Sequence, residues 1–94
     1  MMFLLTTNAS TDAFTDHNGI VAIQFNGTFD SGTMTVQVKV PDASDTWQAM
    51  EDGAYTSGPV SRTAYVGSRV PVRITLSGAG ASASIAGTIT RIGA

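Results

Sequence analysis

The chain holds one tryptophan and one histidine, and the stretch V40-P-D-A-S-D-T-W-Q-A-M-E-D-G53 combines that tryptophan with four of the seven acids. Asp42, Asp45, Glu51 and Asp52 could ligate calcium through oxygen, but their spacing does not fit an EF-hand loop, which needs alternating oxygen ligands and a bidentate Glu at its end. The expectation is turn chemistry: Asp42 and Asp45 bonding turn N–H groups, and E51-D-G53 forming the next turn. Trp47 has two readings. A tryptophan more often fills a core, which is the expectation here, but it can also lie exposed as a stacking platform for a sugar. Tyr55 and Tyr65 could join it on a binding face, or be rim residues with one wet end.

His17 lies in D16-H-N-G19 and reads as a loop residue. With no cysteine and no second histidine it cannot anchor a zinc site of ordinary composition. A Ser-His-Asp set is easy to write down among so many serines, yet no G-x-S-x-G elbow supports one. Asp12 and Asp16 are expected to be solvated. S77-G-A-G-A81 has neither a lysine nor a following helix, so it is no phosphate cradle. The small-residue run G78-A-G-A-S-A-S-I-A-G87 allows close approach of another chain. No catalytic residue, metal ligand or cofactor site is assigned; the candidate ligand or partner contacts are Trp47, Tyr55 and Tyr65.

These residues must be positioned by strands, because alternation dominates and helical periodicity is nearly absent. In I20–F29, Val21, Ile23, Phe25 and Phe29 share a face. In T33–V40, Met34, Val36, Val38 and Val40 alternate with Thr33, Thr35, Gln37 and Lys39. In R69–S77, Val70, Val72, Ile74 and Leu76 point one way; Pro71 cannot donate to a ladder, so that strand begins near it or runs along an edge there. Weaker strands are expected at F3–T7, T46–M50, S61–V66 and S84–I92, the last with Ile85 and Ile89 inward. D30-S-G32 reads as a tight hairpin between two alternating runs. Seven or eight short strands with regular turn signals predict an all-β fold, a single small antiparallel β-sandwich or a partly open barrel. Residues 8–19 read as a long loop or arm, with Phe14 anchoring it.

Ninety-four residues make one domain, which buries only roughly 60–65% of the surface its unfolded chain exposes. Without cysteines there are no disulfides to supplement so small a core, which leaves oligomerisation or docking on a larger body. Charged residues are 13% of the chain, low for a free monomer that must stay soluble. A net charge of −2 and five scattered cations argue against nucleic acid. M-M-F-L-L-T-T is a poor signal peptide, no run approaches a membrane span, and the sequons at Asn8 and Asn26 read as accidental.

The order of F25-N-G-T-F-D-S-G-T-M-T-V-Q-V, P41-D-A-S-D-T-W-Q-A-M, G67-S-R-V-P-V-R-I-T-L-S-G-A79 and a closing T90-R-I resembles small β-sandwich head decoration (cement) and minor virion proteins of tailed bacteriophages. The resemblance covers about the last three-quarters of the chain, as a pattern rather than a signature; the segment before Asn18 does not align. It implies a non-enzymatic capsid decoration protein that stabilises the head, often as a homotrimer, made in the host cytoplasm and located on the capsid surface of the virion. Its partners would be the major capsid protein and copies of itself, with no nucleic acid and no membrane. Two alternatives stand beside it: a tail, neck or fibre component, and a carbohydrate-binding module using Trp47, Tyr55 and Tyr65. The turn-then-Trp element is also similar to discoidin-type sugar-binding sandwiches, which are far longer.

Overall fold

The structure is a computed structural model that describes residues 1–40 and 46–93. Seven strands follow one another: β1 (Met2–Leu5), β2 (Ile20–Thr28), β3 (Thr33–Lys39), β4 (Trp47–Tyr55), β5 (Val60–Tyr65), β6 (Val72–Ser77) and β7 (Ser84–Arg91). They form two antiparallel sheets, ordered β1-β7-β2-β5 (sheet A) and β4-β3-β6 (sheet B). The sheets pack face to face without closing, so the fold is the sandwich and not the barrel. No helix among the described residues is long and apolar enough to cross a membrane.

The alternation in the sequence builds the core directly. Val21, Ile23 and Phe25 of β2, with Ile85 and Ile89 of β7, project inward from sheet A. Met34 and Val36 of β3 meet them with Val72, Ile74 and Leu76 of β6. All ten are buried, and at about 25 cal/mol per Å² of apolar surface this layer is the main stabilising term.

One turn departs from expectation. D30-S-G32 does not close a hairpin: β2 pairs with β5 and β7, and β3 with β4 and β6, so the turn carries the chain from one sheet to the other. Asp30 and Ser31 take the positive φ values, 48° and 65°, rather than the glycine. Gly32 is buried and donates to Phe29 O at 2.8 Å; a Cβ there would stand 2.7 Å from Ala79 Cβ and 2.9 Å from Leu76 Cδ1. Asp30 then locks the crossing, with its carboxylate accepting from Ser82 N at 2.9 Å and its carbonyl from Gly80 N at 3.0 Å.

Residues 8–19 are a long connection, as read, and it lies along the outer edge of β6 rather than projecting as an arm. Leu76 N donates to Ala9 O, Thr11 N to Ile74 O and Phe14 N to Val72 O, at 2.8–2.9 Å. Asn8 copies a backbone pair with its amide, accepting from Ala79 N at 2.9 Å and donating to Ala79 O at 3.1 Å. The edge of β6 is thereby covered, which removes one site of unwanted strand pairing. Pro71 lies just outside β6, consistent with its missing donor, and Val70 is outside as well.

Candidate functional site

Trp47 is not in the core. Paired with Lys39, it shares the outward face of sheet B, half-buried, and the Arg73 guanidinium reaches across β3 to lie 4.2 Å from its ring centroid. The physical reason is register. Val40 N donates to Thr46 O, which sets Trp47 opposite Lys39, a residue that alternation had already placed outside. Arg73 is itself fixed by Gln37, whose Oε1 accepts from Arg73 Nε at 2.8 Å and from Thr75 Oγ1 at 2.9 Å. Because Thr75 spends its proton on Gln37, Ser10 must donate in the 2.8 Å contact between their hydroxyls. The result is an ordered polar row, Ser10–Thr75–Gln37–Arg73–Trp47, with one face of the indole already covered by a cation.

Tyr55 turns the other way. It sits opposite Met34 on the inward face, half-buried, with its ring edge-on to Phe25 at 5.7 Å and its hydroxyl accepting from Arg62 Nη1 at 3.1 Å. Tyr65, opposite Ile20, points out of sheet A and is 78% exposed. The three aromatics therefore occupy the outside of sheet B, the interior rim, and the outside of sheet A. Stacked sheets are about 10 Å apart, so Trp47 and Tyr65 cannot grip one ligand. The structure does not assemble them into a platform.

The acids divide in the same way. Asp42 and Asp45 lie outside the described residues. Glu51 and Asp52 belong to an irregular part of β4, where two steps along β3 (Thr35 to Gln37) face five along β4 (Ala49 to Ala54). Asp52 takes a φ of 53°, so the E51-D-G53 turn is real but is built into a strand as a bulge. Both side chains are exposed; their carbonyls accept from Arg62 at 3.1 and 3.0 Å. Arg62 has the inward parity of its partner Ile23, and so reaches from the β5 edge of sheet A to the β4 edge of sheet B. Among the described residues no cluster of three metal-ligating side chains occurs.

His17 belongs to a loop, as read, but its side chain is buried and holds that loop. Only 4% of the residue is exposed. Nδ1 accepts from Gly19 N at 3.0 Å, so the proton sits on Nε2, which donates to Val70 O at 2.7 Å. The Phe14 ring stacks on the imidazole with centroids 5.8 Å apart, joining the loop to the start of β6. Asp12 and Asp16 are exposed; Asp16 meets Arg91 only at 3.8 Å, a contact that contributes little.

Sequence reasoning missed two features. Arg62 and Arg73 act as ties across and between sheets, and the only sequence sign is a cation at an alternating position. The second is the outside of sheet A, where Met2 and Leu4 are 86% and 62% exposed beside Ala86, Thr88, Gln24 and Asn26. No family model, curated protein or solved structure matches this chain.

Proposed function

We propose that this chain is a non-enzymatic structural protein of a tailed-bacteriophage virion, a capsid decoration (cement) protein on the head surface. It works by burying surface against the major capsid protein and against copies of itself. The observation that carries the reading is the segregation of charge. Across the four strands of sheet A the only charged residues are Arg62 and Arg91, and both have inward parity, opposite Ile23 and Val21. The outward face of that sheet carries no charged side chain, whereas sheet B presents Lys39 and Arg73. A whole sheet face without charge suits lasting contact with a neighbour better than free solvent exposure.

The pattern from Phe25 to Arg91 supplies the virion assignment and, with it, the homotrimer. A tail, neck or fibre position would use the same fold and the same face. The carbohydrate-binding alternative is the weaker one, because Trp47, Tyr55 and Tyr65 point in three directions and Trp47 is half covered by Arg73. The test mixes the purified chain with expanded heads stripped of decoration and with purified tails. Saturable co-sedimentation with heads, and a higher temperature of head disruption, are the expected results, since a ligand of the assembled state stabilises it. Binding to tails alone moves the chain to the tail, and binding to neither particle ends the virion reading.

A further inference from the structure

We propose that the outward face of sheet A is a twofold self-association surface, in which the Met2/Leu4 ridge of one copy seats in a neighbouring hollow of the other. Cross-strand register places the two features side by side. Met2 stands opposite Thr88, then Gln24, then Ser61; Leu4 stands opposite Ala86, then Asn26. At one margin Met2 and Leu4 stand clear of the sheet as exposed apolar side chains. Next to them lies an open hollow of about 410 Å³ floored by Gln24, Asn26, Ala86 and Thr88 and walled by Pro59 and Ser61. A ridge and a hollow on one face are self-complementary: rotating a second copy by half a turn about an axis in the interface sets each ridge over the other's hollow.

Three further facts favour a second copy as the occupant. No charged side chain projects from this face, so bringing two of them together buries no unpaired charge. The hollow offers the amides of Gln24 and Asn26 and the hydroxyls of Thr88 and Ser61, which can meet the same groups of the partner, while the apolar contact is Met and Leu against Ala86 and Pro59. Size agrees as well. The four strands hold 4, 9, 6 and 8 residues, which at about 3.3 Å rise and about 4.8 Å spacing give a footprint of about 430 Å² per copy before side-chain relief, the size of a weak, reversible contact. Since ridge and hollow share one plane, they pair in twos; a threefold ring needs its complementary surfaces on different sides. The inference concerns the free chain and uses the same uncharged face as the proposed function, so on a virion the contact with the particle replaces the twofold contact; failure of head binding leaves the twofold contact of the free chain standing.

The chain has no cysteine, so single introduced thiols report contacts without background. Leu4→Cys and Ser61→Cys preparations are mixed, oxidised mildly and analysed by mass. The expected product is predominantly the mixed Leu4–Ser61 disulfide. Predominance of a Leu4–Leu4 product means that β1 edges pair with one another, which overturns the ridge-and-hollow arrangement. In parallel, sedimentation equilibrium on the unmodified chain is expected to show association at micromolar concentration. Leu4→Lys, an exposed change that leaves the core intact, is expected to raise the dissociation constant at least tenfold, while Ala49→Glu on the outside of sheet B leaves it unchanged. A chain that stays monomeric at about 1 mM, or association that Leu4→Lys does not weaken, overturns the proposal. Circular dichroism of Leu4→Lys separates lost contact from lost fold.

Discussion

Both ring nitrogens of His17 are committed to backbone groups, so shortening the side chain strands two of them. In His17→Ala the buried Gly19 amide and the half-buried Val70 carbonyl lose their partners, at about 1–3 kcal/mol for the first and less for the second. A loss of about 2–4 kcal/mol is expected, and for a domain of this size that lowers the melting temperature by 10 °C or more, read by thermal denaturation. Trp47 gives the opposite expectation. Half-buried under Arg73 and outside the core, its fluorescence should be readily quenched by iodide, and Arg73→Ala should change the quenching constant while lowering stability by about 1 kcal/mol at most. A blue-shifted emission shielded from iodide would return Trp47 to the interior. Trp47's position was partly legible. The alternation Thr33–Val40 marks Lys39 as outward, and the pairing of Val40 with Thr46 then puts Trp47 on the same side; what the sequence did not reveal was that pairing. His17 was less so, because a lone histidine carries no periodic signal and its role depends on a carbonyl 53 residues away.

At the level of strands, the glycine with least room for a side chain lies where β2 meets β7. Gly27, with φ 152°, faces Ile85 across the ladder, and a Cβ there would collide with Ser84 O and stand 2.8 Å from Ile85 Cα. Backbone cannot yield as a flexible side chain can. Gly27→Ala is therefore expected to cost about 3 kcal/mol or more, whereas Gly78→Ala, with no atom within 4 Å, carries only its positive φ and costs about 1 kcal/mol. Urea denaturation of the two variants reads the difference, and equal losses would refute it. The strands with clean alternation were readable because burial of one face imposes the period: β2 and β3 to within a residue, and β6 at its end but not its start, since Pro71 holds the ladder back to Val72. The weak strand at T46–M50 extends to Tyr55, and periodicity stops at Met50 because the bulge interrupts it. Sheet membership was the other illegible part. Alternation says which side of a strand is wet, not which sheet it joins, so D30-S-G32 looked like a hairpin between strands that never pair.

At the level of the molecule, charge and apolar surface are distributed unequally between the two outer faces. Sheet B carries Lys39, Arg73 and an ordered polar row; sheet A carries hydroxyls, amides, Met2, Leu4 and Tyr65. The small core, whose buried members come from every strand except the bulged β4, leaves this fold dependent on completing both sheets. One feature decides how it gets there. β1 has a single neighbour, β7, and the Met1 amino nitrogen donates to Ile89 O across a separation of 88 residues. Nothing nearby in the chain can hold β1 while β7 is unformed. The long closure is made by the pairing of β2 with β7, and β1 docks on β7 once that ladder stands, with only the connection 6–19 left to close. Refolding from denaturant should therefore run on the millisecond-to-second scale of non-local β topologies. Substitutions in β1 that weaken packing, such as Leu5→Ala, should speed unfolding and leave the refolding rate nearly untouched. A refolding rate that falls in step with stability would place β1 in the nucleus instead. β1 is thus expected to dock after β2 and β7 have paired.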